Sequence, residues 1–176
     1  MRPTLRHWAV LFSVIGLVLA ADQLTKLYIE SALAPGQTVI PIPALGDYFR
    51  IVRSHNTGAA FGFLPDAGWL FSIIAVGVSI GMLVAHRRMP AGDWGKRLAM
   101  GLVIGGALGN VIDRIRIDHV IDFINYRIPG VISNVSNIAD HGIVGGIILL
   151  LILSWRSADD SPAHAAIDTE HTRESE

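Results

Sequence analysis

The sequence predicts an all-α membrane protein built on four transmembrane helices, and three observations carry that prediction. Hydrophobic residues make up 51% of the 176 positions and the mean hydropathy is +0.47, high for a soluble chain. Four stretches carry no charge: Trp8 to Ala21, Trp69 to Ala85, Leu98 to Ile112 and Gly142 to Trp155. Three of the four spans, once extended, carry polar residues including an aspartate at one end, and those ends fall on one side of the bilayer.

Each uncharged run is slightly shorter than the roughly 20 apolar residues needed to cross a hydrocarbon core, so the spans must extend into their polar flanks. The first continues through Asp22 and Lys26 to about residue 29, the second covers 69–86, the third covers 97–113 through Asn110 and Asp113, and the fourth covers 138–155 with Asp140 in its first turn. Successive spans cross in opposite directions, which gathers Asp22, Asp113 and Asp140 at one face. Residues 1–156 therefore read as one four-helix membrane domain. The polar, mostly acidic stretch 157–176 reads as a disordered cytoplasmic tail.

Arg2, Arg6, Arg87, Arg88, Lys96, Arg97 and Arg156 lie on the side away from the aspartates, against Arg50, Arg53, Arg114, Arg116 and Arg127 on the aspartate side. This bias puts both termini in the cytoplasm. A rival reading takes Arg2, Arg6 and the run ending Val18-Leu19-Ala20 as a cleavable signal peptide. Sequencing the mature N-terminus separates the two. Between the first two spans, Pro35, Gly36, Pro41, Pro43 and Gly46 punctuate a loop that then alternates through Tyr48-Phe49-Arg50-Ile51-Val52-Arg53. That pattern reads as a short strand or hairpin at the membrane surface.

Several classes of chemistry are excluded. A net charge of −1 offers no basic surface for nucleic acid. The absence of cysteine removes disulfides, thiolate catalysis and cysteine-based metal centres. His7, His55, His86, His119, His141, His164 and His171 show no metal-ligand spacing, so no metal or cofactor is expected. Glycines at Gly77/Gly81, Gly101/Gly105/Gly106/Gly109 and Gly142/Gly145/Gly146 read as close-approach points between helices in lipid.

Acids at membrane depth are expensive, roughly 2.5–3.5 kcal/mol for a central aspartate on insertion scales. Asp22 and Lys26 lie one helical turn apart and read as an ion pair. Asn110, Asp113 and Arg114 share a helix face, and a guanidinium beside Asp113 keeps it ionised, which suits a clamp better than a general acid. Asp122 lies in Val120-Ile121-Asp122-Phe123-Ile124 without an adjacent cation, and Asp140 has Asn137 three residues before it. These two are the best candidates for a working pair, in which one carboxyl keeps a proton while the other activates water. Spacing alone does not show that they meet.

Five segments taken together resemble the bacterial type II signal peptidases, the lipoprotein signal peptidase family: Asp22-Gln23-Leu24-Thr25-Lys26, Asn56-Thr57-Gly58-Ala59-Ala60-Phe61, the run from Gly105 to Arg114, Val120-Ile121-Asp122-Phe123, and Asn137-Ile138-Ala139-Asp140. Each is short, but the ordered set within four spans is specific. The resemblance covers about residues 10–155. It implies an intramembrane aspartic endopeptidase of the inner membrane that cuts diacylglyceryl-modified prolipoproteins just before the lipidated cysteine. It also implies an extracytoplasmic β-cradle and a short periplasmic helix over an active site near the periplasmic face. By this likeness Asp122 and Asp140 are the catalytic dyad. Asn56, Gly58, Asn110, Arg114 and Asn137 match residues around the site, and Asp22, Lys26 and Asp113 match supporting positions. The implied partners are lipidated prolipoproteins and membrane lipids.

The chain departs from the family pattern in three places. Ser136 stands where an aromatic residue usually precedes the matching asparagine, His141 follows Asp140 where a small residue is common, and 124–136 lacks the tryptophan and phenylalanine often found there. Two other readings remain on the residues: a catalytically silent relative that binds lipidated peptides, and a proton-coupled transporter. Against transport, the acids sit at one end of the spans and no internal repeat is visible.

Overall fold

The computed structural model describes residues 3–58 and 67–159. Four long helices run through it: α1 (Leu5–Ala32), α2 (Gly68–His86), α3 (Trp94–Ile117) and α4 (Ile138–Asp159). Each is long and apolar enough to cross a membrane. Strands β1 (Thr38–Val39), β2 (Phe49–Asn56), β3 (Val120–Ile128) and β4 (Ile132–Ser136) form an antiparallel sheet in the order β1-β2-β3-β4. The all-α expectation is therefore corrected to four helices plus a sheet. The strand expected around 48–53 is β2, but β3 and β4 lie in what the sequence presented as a connection. Residues Val120 to Phe123 are all buried, so the period-2 alternation that betrays a half-exposed strand is missing there.

α1 and α3 also outrun the expected spans, which were 8–29 and 97–113. Asp93 precedes the first residue of α3, and the helix ends where Asp118 turns left-handed at φ 62°. That residue's N–H bonds the Arg114 carbonyl, and the chain then reverses directly into β3. Of the short helix implied over the site, the described residues hold only a three-residue 3-10 turn at Pro43–Leu45. Residues 59–66 and the expected tail from residue 160 lie outside the described residues.

Helix α3 is the axis of the bundle. In its apolar window 67% is buried, against 17% in α1 and 11% in α2 and in α4, so the other three present their apolar surfaces outward, as lipid-facing helices do. Leu11 and Ile15 of α1 pack with Met100 and Ile104 of α3, while Ile29, Ile121 and Phe123 form a second cluster beneath the sheet. Arg53 of β2 ties sheet to bundle: its guanidinium donates to the carbonyls of Glu30 (2.9 Å) and Leu33 (3.0 Å) at the end of α1, where helical carbonyls lack partners.

Glycine makes the close approach of α3 and α4 feasible. A Cβ on Gly106 would collide with the Ala139 carbonyl oxygen of α4, and one on Gly146 would lie 2.7 Å from the Ala99 carbonyl oxygen of α3. Not every glycine expected at an interface is there. Gly77, Gly81 and Gly145 have nothing within 4 Å of a Cβ built on them, so within this chain they face open space. Gly106→Ala should destabilise the protein by about 1–3 kcal/mol through overpacking. Gly77→Ala should be neutral or raise stability by roughly 0.5–1 kcal/mol, as helix propensity dictates. Thermal unfolding of both variants in detergent checks the contrast.

Candidate active site

The polar residues of the sequence motifs converge where the sheet meets the ends of α3 and α4. Asp122 is in β3, whose partner β2 places Ser54 opposite it and Asn56 opposite Val120. The Asn56 side chain thus lies diagonally across from Asp122 and donates Nδ2 to its Oδ2 at 2.9 Å. Its own Oδ1 accepts the Gly58 N–H at 3.0 Å, a local turn typical of asparagine.

Asn137 joins β4 to α4 and caps that helix. Its Oδ1 accepts the Asp140 N–H at 2.9 Å, and the Asp140 carboxylate accepts the Asn137 N–H at 3.3 Å, a reciprocal capping box. This leaves the amide Nδ2 of Asn137 free to donate to Asp122 Oδ1 at 2.6 Å and to Asn110 Oδ1 at 3.2 Å. One side chain therefore connects the acid on the strand to the acid on the helix. Asn110 of α3 completes the link by donating Nδ2 to Asp140 Oδ1 at 2.8 Å.

Behind Asn110 lies a charge cluster. The Lys26 ammonium sits 2.8 Å from both Asp22 and Asp113 and donates to Asn110 Oδ1 at 3.0 Å, with all three charged side chains fully buried. Asp22 Oδ1 accepts the Ala139 N–H at 2.9 Å, and Asp113 Oδ2 accepts the Ile121 N–H at 3.3 Å. Both backbone groups neighbour the site acids in sequence, so the cluster positions the segments carrying Asp122 and Asp140. The cation on Asp113 is Lys26, not the adjacent Arg114 on which the sequence reading of a clamp relied. Arg114 instead donates to the Gly58 carbonyl at 2.9 Å.

Asp122, Asp140, Asn56, Gly58, Asn110 and Arg114 line a cleft of about 440 Å³, with Val135, Ile143 and Val144 supplying apolar wall. Asn137 lies under its floor, fully buried, and Asp22, Lys26 and Asp113 do not reach it. Burial first, and then the nearby Asp140 carboxylate, push the Asp122 carboxyl up to about 7 against the opposing pull of the Asn56 and Asn137 hydrogen bonds. Among the described residues no group of three or more His, Cys, Asp or Glu is placed to hold a metal ion.

A family model described as Signal peptidase (SPase) II matches residues 14–156. The chain belongs to the signal peptidase II family. It is 42% identical over 162 residues to a lipoprotein signal peptidase of Xanthomonas axonopodis pv. citri, covering 90% of this chain and 91% of that one. A lipoprotein signal peptidase of Pseudomonas syringae pv. tomato is 41% identical over 151 residues, covering 80% and 83%. A bacterial membrane enzyme solved by the in meso method at 2.3 Å superposes with a TM-score of 0.79 at 29% identity, over 87% of this chain and 92% of that one. A second, at 1.9 Å, gives 0.72 at 30% identity, over 82% and 92%.

This signal peptidase II is thus a multi-pass membrane protease. Its polar core includes residues that sequence reasoning passed over. Gln23 donates to Asp113 Oδ1 at 2.9 Å and lies within 3.2 Å of Asp22 Oδ2 and the Gly109 carbonyl, yet within its motif it drew no attention beside the charged Asp22 and Lys26. Tyr126 also lines the cleft and drew no attention, while His141, noted only as a departure from the family pattern, lines it beside Tyr126. Lys26→Met should leave two buried carboxylates without their cation and cost roughly 3–5 kcal/mol. Thermal unfolding and folded yield in detergent measure that loss, which should exceed any loss from Glu30→Gln, whose partners Arg53 and Arg116 are partly exposed.

Proposed function

We propose that this signal peptidase II removes signal peptides from diacylglyceryl-modified prolipoproteins, cutting just before the lipidated cysteine, with Asp122 and Asp140 as the catalytic pair. The observation that carries the proposal is the pairing itself: two carboxylates from different elements, joined through Asn137, open onto one partly apolar cleft. The names of the relatives in Xanthomonas and Pseudomonas supply the substrate class.

Hydrolysis of an amide needs a base to activate water and an acid to protonate first the carbonyl oxygen and then the departing amine. Asp122, held up to about 7, keeps its proton below neutrality and serves as the acid. Asp140 takes the proton of the attacking water. Asn110 and Asn137 hold Asp140 through neutral donors while it does so. The cleft opens among helices whose outward faces are apolar, which suits a substrate whose acyl chains stay in the bilayer.

In the same reading both termini are cytoplasmic and the cleft lies near the periplasmic face. Support comes from the end of the bundle opposite the sheet, where the Arg6 and Arg97 guanidiniums lie 5.2 and 5.3 Å from the Trp94 ring centroid. Basic residues beside an interfacial tryptophan are typical of the cytoplasmic boundary. A cysteine placed at Gly36 should react with an impermeant thiol reagent in intact spheroplasts. Labelling at a cysteine placed at Ala91 instead would reverse the orientation.

Asp122→Asn and Asp140→Asn are nearly isosteric and should each fold while turnover of a diacylglyceryl-modified prolipoprotein falls by about 10²-fold or more, the lower range of a lost general acid or base. Substantial residual turnover in either folded variant would rule out the two-aspartate mechanism. Rate against pH gives a second check. Asp122 holds its proton below about 7 and loses it as pH rises through that value, so the rate should decline on the alkaline side, with an apparent midpoint that belongs to the pair.

A further inference from the structure

The cleft contains a second bridge between β3 and α4. Tyr126 lies four residues after Asp122 on β3, and His141 directly follows Asp140 on α4. His141 Nδ1 is 2.6 Å from the Asn137 carbonyl oxygen, and His141 Nε2 is 3.2 Å from the Tyr126 hydroxyl. A carbonyl oxygen can only accept, so Nδ1 carries the proton toward Asn137. In the neutral ring Nε2 then keeps its lone pair and accepts the tyrosine O–H. The two rings meet edge to face at 5.8 Å. Tyr126 is backed by Phe49, its cross-strand partner in β2, with ring centroids 6.1 Å apart.

We propose that His141 is a positioning residue of the hydrolytic site: with Tyr126 it forms an outer strut that sets the distance between β3 and α4 and fixes the asparagine that joins the two aspartates. This rests on the assignment of Asp122 and Asp140 as the catalytic pair. The physical argument is one of rungs. Between the strand bearing Asp122 and the helix bearing Asp140, the inner rung runs through the Asn137 amide. Asp22 on the Ala139 N–H and Asn110 on Asp140 hold the first turn of α4 from the bundle side, but neither of them reaches β3. The Tyr126–His141 rung supplies a second point of attachment, and its histidine ends on the backbone of the same Asn137. Displacing Asn137 moves the donors of both carboxylates together, so the strut acts on the arrangement of the acids without touching the bond to be cut.

The test is a double-mutant cycle on the full-length enzyme in detergent, with a diacylglyceryl-modified prolipoprotein as substrate. Tyr126→Phe removes only the hydroxyl. His141→Ala removes both contacts, and His141→Asn keeps a donor in reach of the Asn137 carbonyl while losing the tyrosine. Tyr126→Phe and His141→Ala should each lower kcat by about 2- to 10-fold, the worth of one net hydrogen bond, with KM within about two-fold of wild type. The double variant should be no slower than the worse single, and His141→Asn should recover part of the His141→Ala loss. Losses that multiply, or that appear in KM alone, would overturn the strut and make the two residues separate contacts to substrate. Asp140→Asn is measured alongside. If it retains turnover, the assignment of the acids fails; if it is inactive while His141→Ala and Tyr126→Phe match wild type, only the strut fails.

Discussion

One buried ammonium organises the polar interior. Lys26 is shared between a carboxylate on its own helix and one on α3, and removing three ionised groups from solvent is tolerable only because their attractions and remaining hydrogen bonds are satisfied together. Asp22 reaches the Ala139 N–H, Asp113 reaches the Ile121 N–H, and Gln23 fills the gap between them. The consequence for the cleft passes through Asn110. Because Lys26 can only donate, it requires the carbonyl oxygen of that amide, and the NH₂ end is left to face Asp140. The orientation of a neutral amide at the site is thus dictated by a charge that never enters it.

How far this was legible in the sequence depends on the range of the interaction. The helices could be read because a span must be long and apolar by itself, and parity then put Asp22, Asp113 and Asp140 at one face. The spacing of Asn137 and Asp140 is the local signature of a capping box. The sheet was harder to read. β4 is Ile132-Ser133-Asn134-Val135-Ser136, too polar and short to declare itself, and β3 begins with residues buried on both faces. Most of the likeness to a β-cradle therefore came from the resemblance to a family and not from periodicity. Asp113 illustrates the limit from the other side. Its neighbour in sequence is Arg114, but its neighbour in space is Lys26 from another helix, and no local rule anticipates that exchange.

The sheet answers a similar need. Where backbone is buried, an irregular segment would leave N–H and C=O groups short of partners. β3 is paired on both sides, by β2 and by β4, so Asp122 stands on backbone that is already satisfied. Asp140 stands on the first turn of α4, whose free N–H groups are taken up in part by Asn137. Both acids thus project from regular elements, which hold side chains to tighter tolerances than loops do.

The kinds of partner given to each acid differ in a way that bears on chemistry. Asp22 and Asp113 face a full positive charge, an arrangement that suits a scaffold. Among the described residues, Asp122 and Asp140 receive their side-chain and backbone hydrogen bonds from amides: Asn56 and Asn137 on the first, Asn110 and the Asn137 backbone on the second. Arg114, which lines the cleft, is turned to the Gly58 carbonyl. A guanidinium bound directly to either acid would favour its ionised form. Neutral donors fix the geometry of a carboxyl while leaving its protonation free to change. Full charges are thus gathered in the cluster behind Asn110, and neutral amides surround the two carboxylates at the cleft.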